Sequence, residues 1–157
     1  MTSELHPLEP FLPVGARLLM LGSFPPQRVR WSMDFFYPNL QNDMWRILGL
    51  LFYNNKEYFL ETKKAFSEEK ARAFCREKGI GIGDTAVEII RLKNNASDNF
   101  LQVIKPINTE EVLSQIPDCK AIVVTGQKAM DTLLSVLPPT EEPKVGSYST
   151  FTLLDRT

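Results

Sequence analysis

Two short apolar runs set the strongest limit on what this chain can fold into. One is Leu18-Leu19-Met20-Leu21, between Arg17 and Gly22; the other is Ala121-Ile122-Val123-Val124-Thr125, stopped by Gly126. Neither alternates polar with apolar residues, so each reads as a strand covered on both faces. The second is also rich in β-branched residues, which suit a pleated surface. Strands buried on both faces belong to parallel sheets, and parallel neighbours need helical crossovers between them.

The rest of the chain supplies those crossovers. Met44, Trp45, Ile47, Leu48, Leu51 and Phe52 have helical spacing, with Asn42 placed to cap the helix and Asp43 in its first turn. Lys56 to Lys78 reads as one or two further helices, and Gly79 to Thr85 as a short strand running into a turn. Asn94 to Asn99 is polar linker, Thr109 caps a helix reaching Ile116, and Gln127 to Val136 forms another helix. Pro138 to Pro143 is a surface loop, and Ser149 to Leu154 reads as a fourth strand. The expected architecture is α/β: three layers, α/β/α, around a central, mainly parallel four-stranded sheet, in one domain over residues 1–157.

Composition removes several classes of function. The two cysteines, Cys75 and Cys119, stand far apart and outside any CxxC pattern, which suits free thiols in a reducing cytoplasm and is too few for a four-cysteine cluster. His6 is the only histidine, so neither a histidine-based metal site nor a Ser-His triad is expected. No apolar run is long enough to span a membrane, and the first residues lack the pattern of a secretory signal. A net charge of −1 and a pI of about 5.9 argue against a broad nonspecific nucleic-acid surface but leave room for a small footprint.

Chemistry is expected at the carboxyl ends of the strands, where open parallel sheets bind ligands. Leu21-Gly22-Ser23 and Val124-Thr125-Gly126-Gln127 place glycine and small polar residues there. The loop from Ser23 to Gln41 is long for a compact domain, and such loops usually carry function. It holds Pro25, Pro26 and Pro38 together with Trp31, Phe35, Phe36 and Tyr37, aromatics that either pack inward or stack on a ligand.

Taken in order, several segments resemble the uracil-DNA glycosylase superfamily, nearest its hypoxanthine-DNA (deoxyinosine) glycosylase branch. They are His6-Pro7-Leu8-Glu9-Pro10, the RLLMLGSFPP segment from Arg17 to Pro26, and Phe36-Tyr37-Pro38-Asn39-Leu40-Gln41-Asn42-Asp43-Met44-Trp45. Gly79-Ile80-Gly81-Ile82-Gly83-Asp84, Pro106-Ile107-Asn108 and Thr125-Gly126-Gln127-Lys128-Ala129 are similar to later landmarks. The resemblance implies a cytoplasmic, monomeric DNA-repair enzyme without cofactor or metal, whose partner is DNA containing a damaged or deaminated base. It implies Asn42 and Ser23 as catalytic residues, and Gly22, Phe24, Tyr37, Thr125, Gly126 and Gln127 around the extruded base, with Tyr37 as the stacking aromatic. No lysine is placed for Schiff-base chemistry, so simple hydrolysis is implied.

The residues keep bland roles beside these. Asn42 is a good helix cap, Ser23 and Asp84 suit turns, Asp43 suits a helix first turn, and Trp45 suits the core. Arg28, Arg30 and Lys128 are either solvated or in reach of phosphates. The resemblance breaks at the end: Asp155-Arg156-Thr157 stand where the family's Pro-Ser-rich DNA-gripping segment begins, so a chain truncated of that element is expected. A noncatalytic nucleic-acid or nucleobase-binding module on the same fold is the alternative.

Overall fold

The computed structural model describes residues 2–93 and 100–157. The strand β2 (Leu18–Gly22) lies at the centre of a parallel sheet between β5 (Ile80–Asp84) and β8 (Ala121–Val124). Its register pairs Met20 with Ile82 on one side and with Val123 on the other. Successive side chains of a strand point to opposite faces, and β2 uses both. Met20 enters one core with Trp45, Phe59, Phe74 and Ile82, while Leu19 and Leu21 enter a second with Val112, Leu113, Ile116 and Leu133.

Four helices cover the two faces: α1 (Met44–Tyr53), α2 (Glu68–Lys78), α3 (Thr109–Gln115) and α4 (Gln127–Leu134). The first two contribute to the core around Met20, the last two to the core around Leu19, which gives an α/β/α layering. Trp45 is fully enclosed and its indole N–H donates to the Phe36 carbonyl at 2.9 Å. That bond ties the long loop to α1 and satisfies the one polar atom a buried tryptophan carries.

A second sheet was not foreseen. The strands β1 (Ser3–Leu5), β6 (Ala86–Arg91) and β7 (Leu101–Pro106) form an antiparallel sheet in the order β1-β6-β7. Only Thr85 separates β5 from β6, so the segment expected to turn at Thr85 instead runs from one sheet into the other. The Thr85 N–H donates to the Gly22 carbonyl at 2.7 Å and its own carbonyl accepts from Ile107, which fixes the corner. The residues from Asn94 to Asn99 lie outside the described ones.

Other expectations need correcting. Among the described residues the parallel sheet has three strands, not four. Ser149 to Leu154 forms no strand; Leu153 makes an isolated bridge to Arg156 around Leu154 and Asp155, both with φ near +55°. Two successive left-handed residues reverse the chain. The Arg156 guanidinium then donates to carbonyls of Leu113, Ile116, Pro117 and Cys119, anchoring this end on the C-terminus of α3 instead of on β8. The helix expected from Lys56 begins only at Glu68, capped by Ser67. Before it lies a small hairpin of β3 (Leu60–Thr62) and β4 (Ala65–Phe66), where Phe59 and Phe66 both plunge into the core. Asn108, not Thr109, caps α3 through its side chain. Of the six apolar positions read on α1, Trp45 and Leu48 are buried, while Ile47, Leu51 and Phe52 stay exposed.

Both cysteines are free and buried. Burial pushes the Cys75 thiol up from about 9 to about 12, with Arg72 and Arg76 opposing that rise. The folded state then holds this proton through a pH range in which the unfolded chain releases it, so stability is complete below about pH 9 and lost as pH rises towards 12. The expected slope is up to about 1.4 kcal/mol per pH unit from this group. Urea denaturation between pH 8.5 and 11 measures it: Cys75→Ala will be less stable at pH 8.5 and will show the shallower decline.

Candidate active site

The three parallel strands end side by side, and their last residues form the floor of one cavity of about 190 Å³. Gly22 and Asp84 are register partners at the ends of β2 and β5, and Thr125 follows β8, its N–H donating to the Leu21 carbonyl at 3.0 Å. The chain moves from β2 to β5 on one side and to β8 on the other, so this is the point at which strand order reverses. Ligands of open α/β sheets bind at such a point. Ser23 to Pro26 and Tyr37 to Asn39 of the long loop build the walls, and Asn42 and Met44 close the rim at the start of α1.

The loop is stiff. The Trp31 indole N–H donates to the Pro26 carbonyl at 2.8 Å, Trp31 bridges to Asn39, and the Ser32 N–H and hydroxyl both donate to the Pro38 carbonyl. Phe35 and Phe36 are buried in the core, so these two aromatics of the loop pack inward. Tyr37 does not follow them. Its φ of 51° lies in the left-handed region, which costs a bulky residue of order 1–3 kcal/mol and persists only where neighbours enforce it. Here its hydroxyl shares a 2.5 Å hydrogen bond with Thr125 Oγ1, stretching the side chain across the strand ends.

Gly22 makes that reach possible. A Cβ at this position would stand 2.7 Å from Asp84 Oδ1 and 3.2 Å from the Tyr37 hydroxyl. The carboxylate and the phenol converge on the same backbone atom, and only glycine leaves room for both.

Asn42 is exposed at the rim, and its role at the helix start is shifted by one residue from expectation. Asp43 takes the cap position with no side-chain bond, while Asn42 Oδ1 accepts the Met44 N–H at 2.8 Å. The amide nitrogen and the second lone pair of Oδ1 have no such bond within the helix start. Ser23 and Phe24 are buried in the cavity wall. Gly126 and Gln127 are not among the lining residues. Gly126 precedes α4 with φ 108° and ψ 155°, a conformation reserved for glycine, and it turns the chain away. Gln127 donates to Asp131 at 2.8 Å and to Glu142 at 3.0 Å, both on the outer surface.

Two residues beside the cavity lie outside the site expected from the sequence, which gives Asp84 a turn role and His6 only a place in the first matched segment. Asp84 lines the cavity and accepts a 2.6 Å hydrogen bond from His6 Nε2, and both side chains are more than nine-tenths buried. The strand-end rule that singled out Gly22 and Thr125 covers Asp84 equally, since it closes the Gly79–Asp84 run. His6 offered no such signal across 78 residues of separation.

A larger open groove of about 560 Å³ runs between β7 and α4, past Val103, Lys128 and Asp131. Asp131 there is engaged by Gln127, and the Thr132 hydroxyl by the Lys128 carbonyl. The carboxyl ends of the parallel strands do not line it, so we place the candidate site in the smaller, more enclosed cavity. Among the described residues no group of three or more His, Cys, Asp or Glu is arranged to hold a metal ion, and no helix is long and apolar enough to cross a membrane.

The fold is similar to that of a protein from Methanosarcina acetivorans provisionally identified as a uracil DNA glycosylase. Its solution NMR structure aligns with a TM-score of 0.58 over 81% of this chain and 76% of that one, at 21% identity. No protein-family model and no curated protein matches the chain.

The crowding above Gly22 has a direct consequence. Gly22→Ala is expected to cost about 1–3 kcal/mol, as overpacking does, although it adds a single methyl group. Urea denaturation monitored by circular dichroism checks this.

Proposed function

We propose that this protein is a DNA glycosylase of the uracil-DNA glycosylase superfamily, hydrolysing the N-glycosidic bond of a deaminated base in DNA. The observation that carries the reading is the convergence of Gly22, Ser23, Phe24, Tyr37, Asn42 and Thr125 on one cavity at the strand-order reversal. Four separate stretches of the order-matched sequence resemblance meet there, and the fold neighbour bears the same kind of name.

The reaction needs few parts. Breaking the bond to a sugar carbon gives a transition state with oxocarbenium character, while the departing base gathers negative charge. Fixed hydrogen-bond donors stabilise that charge. The Asn42 amide N–H and the Ser23 hydroxyl are the donors we assign. Extrusion of a base from the duplex costs a few kcal/mol, and stacking on an aromatic face such as Tyr37 returns roughly 1–3 kcal/mol. Among the described residues no lysine lines the cavity, which favours hydrolysis without a covalent Schiff base. Serine at position 23 favours hypoxanthine among the bases, following the branch that the first motif resembles.

A binding module without turnover is the second reading, favoured by the net charge of −1 and by the use of Asn42 Oδ1 at the helix start. One assay separates the two. Duplexes carrying a single deoxyinosine or deoxyuridine are expected to release free base, and Asn42→Ala is expected to slow release about 100- to 1,000-fold, as loss of one transition-state donor does. Binding to both duplexes with no base released from either would favour the module.

A further inference from the structure

Among the described residues one carboxylate lines the cavity, and it is held in an unusual way. Asp84 Oδ2 accepts from His6 Nε2 at 2.6 Å, and His6 Nδ1 accepts the Leu8 backbone N–H at 3.0 Å. A nitrogen that accepts a hydrogen bond carries no proton, so the imidazole is the neutral tautomer with its hydrogen on Nε2. The ring is wedged edge-on against Phe24 at 5.1 Å and lies 5.7 Å from Phe36, so it cannot turn without disturbing the cavity wall. His6 therefore fixes one oxygen of Asp84 and leaves the charge of the carboxylate uncancelled. The other oxygen, Oδ1, lies over Gly22 on the cavity floor.

The same accounting weakens a water-activating role for Asn42. Its Oδ1 already accepts the Met44 N–H, and a neutral amide oxygen, though it can hold a water by its remaining lone pair, is too weak a base to take the water's proton. Asn39 Oδ1 likewise accepts the Gln41 N–H, and the Tyr37 and Thr125 hydroxyls are bonded to each other.

We infer that Asp84 is the catalytic acceptor for the proton of the attacking water, and that His6 is its positioning residue. The inference rests on the glycosylase reading. In the step, the water oxygen bonds to the sugar C1′ as the C1′–N bond breaks, and the bonding electron pair leaves with the base. The water proton passes to Asp84 Oδ1 and is returned to the departing base, so the products are free base and an abasic sugar hydroxyl. The negative dyad also opposes the positive charge that develops on the sugar.

Single-turnover base release from the deoxyinosine and deoxyuridine duplexes tests this, alongside binding to a duplex whose target sugar bears a 2′-fluorine and resists hydrolysis. Asp84→Asn keeps shape and the bond from His6 but is a poor proton acceptor. It is expected to lower the rate about 100-fold or more with binding changed less than twofold. His6→Ala is expected to lower the rate while sparing binding, and His6→Gln, which restores an N–H donor, to recover part of it. A residue that serves packing alone would weaken binding and rate together and would not be rescued by glutamine. Full activity in Asp84→Asn overturns the inference and leaves the glycosylase reading standing; no release by the wild-type chain overturns both. Should Asp84→Asn fail to fold, the split between rate and binding in His6→Ala and His6→Gln decides the matter.

Discussion

The pairing of β2 with a parallel neighbour on each side is the constraint from which the rest follows. Because β2 is hydrogen-bonded to β5 and to β8, its side chains have only the two sheet faces to occupy, and both must be covered by helices. Because both neighbours run the same way, three chain ends arrive together at one edge of the sheet. Gly22, Asp84 and Thr125 are brought within reach of one ligand by that geometry alone, without any of them being near another in sequence. The long loop and the start of α1 then need only to roof the opening.

Glycine and tyrosine at positions 22 and 37 form one unit in this arrangement. The phenol reaches Thr125 only because no side chain rises from the floor beneath it, and the strained backbone at Tyr37 is what aims the ring away from Phe35 and Phe36. A local rule is broken at Tyr37, and violations of that kind concentrate where a protein carries function.

Much of this was legible in the sequence. The strands β2 and β8 declared themselves as unbroken apolar runs with terminal glycines, but only β2 is covered on both faces: Ala121 and Val123 of β8, at the edge of the sheet, stay exposed. The helices α3 and α4 came within one or two residues of their observed bounds. The long loop announced itself by its length and prolines. What failed was whatever depended on distant partners. β1 has three residues, and β6 and β7 mix charged or polar residues among apolar ones and are only partly buried, so none has a pattern strong enough to stand out before its neighbour is known. Ser149 to Leu154 carries strand-like residues, yet Arg156 finds four carbonyls at the end of α3 and draws the segment off the sheet. Lys56 to Phe66 is rich in helix formers, but burying Phe59 and Phe66 outweighs propensity, as tertiary packing commonly does. At the cavity, Asp84 was readable from its place at a strand end, whereas His6 becomes meaningful only once the first residues of the chain are seen to lie across β5 and β6.

Those first residues also settle a hazard. β5 ends the parallel sheet on one side and would otherwise present a row of unpaired backbone groups, the template on which other chains add and aggregates grow. Phe11 blunts it: its N–H and carbonyl meet the carbonyl and N–H of Ile82 at 2.8 and 2.9 Å, running antiparallel to the strand it guards. The segment that delivers a histidine to the cavity thus also keeps the flank of the sheet from recruiting copies of itself, so shortening this N-terminal stretch would threaten solubility as well as chemistry.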